Sequence, residues 1–153
     1  MRWLDEGEQA AWRSFLLMQA HLTAELARDL ARHSPLSYQD YAVLVVLSDQ
    51  PSGQLRMFQL ARELDWEKSR LGHQLTRMEG RGLVMKSKCD EDRRGALVGI
   101  RTKGREQLAA AAPSHVAAVR RLFVDRLTPA QLQELAVMAK IVLKAIAESG
   151  TAC

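Results

Sequence analysis

The sequence predicts a mainly α-helical fold with a small β-hairpin, and three observations predict it. Apolar residues recur at three- and four-residue steps along most of the chain, the period of amphipathic helices. Two short strand-like runs, residues 83–88 and 97–101, flank a polar stretch at 90–95, the pattern of a hairpin. The 153 residues are 47% hydrophobic and 26% charged, an ordinary balance for one domain spanning 1–153 with its own core. Aromatics make up 5%, so that core is built from Leu, Val and Ala.

In chain order, the first helix spans about Glu8 to Arg32, with Trp12, Phe15, Leu22, Leu26 and Leu30 on one stripe, interrupted by Gln19. His33-Ser34-Pro35 ends it. Ser37 and Asp40 have capping-box spacing, with Asp in place of the longer Glu or Gln. They start a second helix, Tyr38 to about Ser48. It is apolar almost all round and therefore central. Pro51-Ser52-Gly53 turns the chain, and Gln54-Leu55-Arg56 reads as a very short strand. A helix from about Phe58 to Leu64 follows, then a break at Asp65-Trp66-Glu67. The next helix, Lys68 to Arg81, has an inner face of Leu71, Leu75 and Met78 and an outer face of Lys68, Arg70, His73, Gln74 and Arg77. Gly82 stops it. After the hairpin, Thr102 caps a helix running to about Arg126, with a kink or break expected at Pro113. Thr128 as N-cap and Pro129 at the first helical position start a last helix to about Glu148.

Charge is uneven along this framework. Residues 53–105 hold 13 Lys/Arg against 7 Asp/Glu, and the remainder holds 9 against 11. Two short helices, the second with a polar outer face, followed by a hairpin inside a basic segment, make a winged helix-turn-helix over residues 36–101. Such a module inserts its second helix in the DNA major groove, where base edges distinguish all four pairs. Lys68, Ser69, Arg70, His73, Gln74 and Arg77 are the candidate groove contacts. Lys86 and Lys88 on the strand and Arg93 and Arg94 at the hairpin tip complete the set. A narrow minor groove attracts such tip arginines, and Asp92 is placed to hold one by a carboxylate–guanidinium pair. The plainer alternative for each is a solvated basic face. The helices at 8–32 and 103–148 flank the module and are expected to form a dimerisation layer, because one winged helix makes few base contacts.

Over most of its length, from about Trp12 to Ile146, the sequence resembles the MarR family of bacterial transcriptional regulators, actinobacterial members above all. The resemblance rests on Leu60-Ala61-Arg62-Glu63-Leu64, on Ser69-Arg70-Leu71 and on Arg77-Met78-Glu79-Gly80-Arg81-Gly82-Leu83-Val84. It also rests on the hairpin tip Asp90-Glu91-Asp92-Arg93-Arg94-Gly95, on Thr102-Lys103-Gly104 and on Leu127-Thr128-Pro129. It implies a homodimer on a pseudo-palindromic operator, usually a repressor, released by a small, often aromatic ligand or by cysteine oxidation. It implies groove roles for Ser69, Arg70, His73, Gln74 and Arg77 and a wing role for Arg94. His73 stands where Arg is frequent. Glu67 stands where Ser often caps the reading helix, with Asp65 or Glu67 as the expected substitute.

A pocket for that ligand would draw on Trp12, Tyr41 and Trp66, although scarce aromatics more often serve packing. His21 and His115 read as structural or surface residues. Cys89 beside Lys88 has positive charge to activate it, yet it is far in sequence from the first helix, where peroxide-sensing members of the family carry theirs, and Cys153 is the last residue. The two cysteines build no disulfide framework, and no His/Cys spacing suggests zinc. No cofactor is expected. No Gly-rich phosphate loop or nucleophile elbow points to an enzyme. No apolar run reaches the ~18–20 residues of a membrane span, and the acidic N-terminus lacks a signal-peptide core, so the expected setting is the cytoplasm without membrane contact. Expected partners are double-stranded DNA, a second copy of the chain and a small-molecule inducer. The alternative reading is a winged-helix module that binds an acidic protein.

Overall fold

The computed structural model describes residues 1–87 and 96–150. The chain forms two compact units, residues 1–115 and the part from 116 onward. The described elements are α1 (Glu6–His33), α2 (Tyr38–Ser48), β1 (Gln54–Arg56), α3 (Met57–Leu64), α4 (Lys68–Gly80), β2 (Val84–Ser87), β3 (Leu97–Ile100), α5 (Thr102–Leu122) and α6 (Pro129–Gly150), with a 3-10 turn at Val124–Arg126.

Local chemistry sets most of the boundaries. Helix α1 begins two residues earlier than its apolar stripe suggests, because Asp5 and Glu8 form a reciprocal capping box. Helix α2 starts where the Ser37–Asp40 spacing predicts. The Asp40 N–H donates to Ser37 Oγ at 3.0 Å, and the Ser37 N–H donates to Asp40 Oδ2 at 2.9 Å. Asp65 ends α3 in the left-handed region, φ 52°, a conformation Asp tolerates better than most residues. The expected cap of α4 is not present: Glu67 occupies the N-cap without a side-chain hydrogen bond, while Asp65 is spent on ending α3. Thr128 and Gln131 cap α6 reciprocally.

Pro113 does not break α5, which runs through it; of the kink or break expected there, the break is absent. Four alanines, 109–112, precede it and favour helix more than any other residue. Ala109 and Pro113 are both exposed, so the carbonyl that loses its N–H partner is open to water. The helix ends at Leu122, and the 3-10 turn takes up the segment expected to continue it.

The three strands form an antiparallel sheet in the order β1-β3-β2. Leu55 and Lys86 both face Val98 across the ladder, so the short strand joins the hairpin as a third member. Leu36, Val43, Leu44, Leu47, Leu60, Leu71, Leu75, Met78, Leu83 and Val98 are fully buried in one core. Burial of each such side chain contributes ~1.5–3 kcal/mol relative to exposure. Two glycines make this packing feasible. Gly53 turns the chain at φ +67°, and a Cβ there would sit 2.1 Å from the Arg105 guanidinium. A Cβ on Gly104 would lie 2.3 Å from the Leu83 carbonyl oxygen, which explains glycine in Thr102-Lys103-Gly104: α5 begins pressed against the start of the hairpin.

The apolar stripe of α1 is covered only in part. Leu26 and Leu30 are buried, while Trp12, Phe15, Leu16, Leu17 and Met18 are exposed. In the second unit, α6 leaves Val137, Met138, Ile141, Val142, Leu143 and Ile146 each more than half exposed. No described helix is long and apolar enough to cross a membrane.

Candidate nucleic-acid interface

Helix α4 presents a divided surface. Leu71, Leu75 and Met78 are fully buried, and this anchors the opposite face outward. Lys68, Ser69, Arg70, His73 and Arg77 are exposed on it, as the spacing predicts. Gln74 is the correction. It is 5% exposed, because α2 packs over this side of α4 and supplies a partner: the Gln74 amide N–H donates to Asp40 Oδ1 at 2.7 Å. Gln74 therefore belongs to the seam between α2 and α4 rather than to the outer face.

Asp40 is 1% exposed and is met by three donors. Besides Gln74 and the Ser37 N–H, Arg81 Nη1 donates to Oδ2 at 2.7 Å. Arg81 Nη2 donates to the Pro35 carbonyl at 2.9 Å. A buried carboxylate is tolerated only when paired and hydrogen-bonded in this way. Arg77 in turn donates to Gln74 Oε1. The network borders a groove of about 480 Å³ lined by Ser37, Gln39, Trp66, Arg70, Arg77 and Arg81 among others. Asp40 lines it too and is paired with Arg81, so Arg70 and Arg77 leave the groove an excess of positive charge that suits anions. Asp40 and Arg81 escaped the sequence reading of the site. The available signal was an acidic residue in a helix otherwise apolar all round.

Trp66 lines this groove. The Arg70 guanidinium carbon lies 4.4 Å from the centre of its ring, a cation–π contact. Trp12 stacks on Phe15 on the exposed part of α1, ring centres 6.0 Å apart. The structure therefore does not bring Trp12, Tyr41 and Trp66 together. Tyr41 lines a separate cleft of about 280 Å³ with Tyr38, Val45, Val46, Leu64 and His115. Its ring lies 4.5 Å from the His115 ring. Burial, opposed by the charge of Asp29, holds the His115 imidazole below its ordinary value of 6.5. Burial, followed by the Tyr38 charge, pushes the Tyr41 phenol up.

Lys86 is half-buried and braced against α4. Its Nζ lies 3.5 Å from Glu79 Oε2 and 3.2 Å from Thr76 Oγ1. The Lys86 backbone N–H donates to Glu79 Oε1 at 2.9 Å. That hydrogen bond, more than the Lys86 and Arg101 charges and against a smaller opposing effect of burial, holds the Glu79 carboxyl below its ordinary value. Lys88, Asp92, Arg93 and Arg94 lie outside the described residues, as do Cys89 and Cys153. Among the described residues no cluster of His, Cys, Asp and Glu is arranged to hold a metal ion.

Residues 36–95 match the model of the MarR family. The structure is similar to that of AbsC, a MarR family transcriptional regulator from Streptomyces coelicolor. The two are 40% identical with a TM-score of 0.89, over 97% of this chain and 99% of that one. It is likewise similar to Sco3205, a MarR family transcriptional regulator from the same organism whose crystal structure is in complex with DNA. Here identity is 37% and the TM-score 0.89, over 95% of this chain and 91% of that one. The organohalide-sensing regulator RdhR-CbdbA1625, in its 2,4-dichlorophenol-bound form, shares the fold at 18% identity, with a TM-score of 0.79 over 92% and 82% of the two chains. No functionally curated protein sequence matches the chain.

Proposed function

Because the chain belongs to the MarR family of transcriptional regulators, we propose that it is a homodimeric, sequence-specific DNA-binding regulator of the bacterial cytoplasm, a repressor that a small aromatic ligand releases from a pseudo-palindromic operator. The observation that carries this reading is α4. Its apolar face is locked in the core while Lys68, Ser69, Arg70, His73 and Arg77 stand exposed beside a groove bearing three arginines. Arg suits guanine edges bidentately, and the surrounding cations suit phosphate. The Sco3205 complex with DNA supports the same use of the fold here. The exposed apolar face of α6 supports a second copy as its cover, since contiguous apolar patches of this kind mark protein contacts. The Tyr38–Tyr41–His115 cleft is the proposed seat of the ligand. It is walled by aromatic and aliphatic side chains with two phenols and an imidazole as polar handles.

The test is selection of genomic fragments by the purified protein, then footprinting of the enriched site at two salt concentrations. The expected result is an inverted repeat with half-site centres about one helical turn apart, bound with an affinity that falls steeply with salt as counterions are released. Arg70→Ala combined with Arg94→Ala is expected to abolish selective binding. Weak binding without an enriched sequence contradicts the proposal.

A further inference from the structure

The seam between α2 and α4 contains a chain of three groups whose hydrogen-bond polarities leave a single arrangement. The carboxylate of Asp40 only accepts, and the guanidinium of Arg77 only donates. The Gln74 amide lies between them with one donating and one accepting end. Its N–H meets Asp40 Oδ1 at 2.7 Å and its Oε1 meets Arg77. Turning the amide over would set N–H against N–H at Arg77 and oxygen against oxygen at Asp40. Asp40 is 1% and Gln74 5% exposed, so the clash at the Asp40 end has little water to mend it. The carboxylate is itself immobilised on its other oxygen by Arg81 at 2.7 Å and by the Ser37 N–H at 2.9 Å.

We propose that Asp40 is a positioning residue that acts through Gln74 to fix the direction of the Arg77 guanidinium, and so determines which base Arg77 selects. The proposal rests on the DNA-reading function above. Arg70 makes the contrast. It lies over the face of Trp66, and among the described residues no hydrogen bond fixes the direction of its guanidinium. Arg77 is oriented by a hydrogen bond that traces back to the cap of a different helix, 34 residues from Gln74 in sequence. A bidentate contact with a guanine edge needs both plane and direction, so Arg77 is the stricter reader of the two.

The experiment is selection from a randomised duplex pool, comparing base preferences of the wild type, Arg77→Ala, Gln74→Met, Asp40→Asn and the double variant Gln74→Met/Arg77→Ala. Gln74→Met removes the relay but leaves Asp40 its Arg81 and Ser37 partners, so it keeps the fold even if Asp40→Asn melts early. Arg77→Ala is expected to reduce a preference of about tenfold to near none at one position of each half-site. Gln74→Met is expected to lose the preference at that same position and no other, and the double variant to show no further loss. Asp40→Asn follows Gln74→Met at this position. A merely structural role would weaken binding to all sequences alike and leave the preference profile in place. Retention of the preference in Gln74→Met while Arg77→Ala loses it overturns the relay. An unchanged profile in Arg77→Ala overturns the reading role of Arg77, and the relay with it. A wild type that enriches no sequence overturns the DNA-reading function itself, which is a distinct result.

Discussion

Helices α4 and α6 carry the same kind of apolar period and meet opposite surroundings. On α4 the stripe of Leu71, Leu75 and Met78 is fully buried. On α6 the stripe that includes Met138, Ile141 and Ile146 is more than half exposed at each of these residues. Periodicity identifies the face of a helix that needs cover, and it is silent on what supplies the cover. For α4 the cover is the core of the same chain, and the reward is a polar face held rigidly outward. For α6 the cover we propose is a second chain. The winged module is thus completed by contacts within the chain, while in the proposed dimer the spacing of two such modules would depend on contacts between chains.

The largest expected effect separates these two kinds of cover. Leu75→Ala empties part of the closed core and is expected to lower the unfolding free energy by about 2–5 kcal/mol, read from the urea midpoint. Ile141→Asp leaves that core untouched and puts a charge on the open stripe of α6. It is expected to halve the solution mass measured by sedimentation. Operator affinity should fall on the order of 100-fold, as the second binding event ceases to be intramolecular. If Leu75→Ala proves mild, the two stripes do not differ as described.

A smaller effect concerns the His115 cleft. The folded-state value of this imidazole lies below 6.5, so between the two values the unfolded chain holds more protons than the folded one. Stability should therefore decline as pH falls below about 6.5 and level off below the folded-state value. Comparing urea midpoints at pH 7.5 and 5.5 for the wild type and His115→Asn isolates this contribution. A decline of equal size in both proteins would remove it.

The order of elements was legible because each boundary has a local cause. Ser37 and Asp40, Gly82, Thr128 and Pro129 act within a few residues of themselves. The exposed reading face, with Lys68, Arg70, His73 and Arg77, follows from helical spacing alone. Gln74 was misplaced for an instructive reason. Its spacing puts it at the edge between the two faces of α4, and the side it takes depends on Asp40, 34 residues earlier. The break expected at Pro113 failed because four alanines and an exposed surface outweigh one missing hydrogen bond. The candidate aromatics Trp12, Tyr41 and Trp66 parted because each lines a different surface: Trp12 the exposed part of α1, Tyr41 the His115 cleft and Trp66 the arginine groove. Their residue type gave no sign that Trp66 would lie beneath Arg70.

In the proposed function two copies of this chain read one operator together. The most direct test is sedimentation equilibrium of the protein with a duplex carrying its selected site. The expected mass is that of one duplex with two chains, formed without a stable one-chain intermediate. A complex of one chain per duplex, retaining full affinity and selectivity, would contradict it.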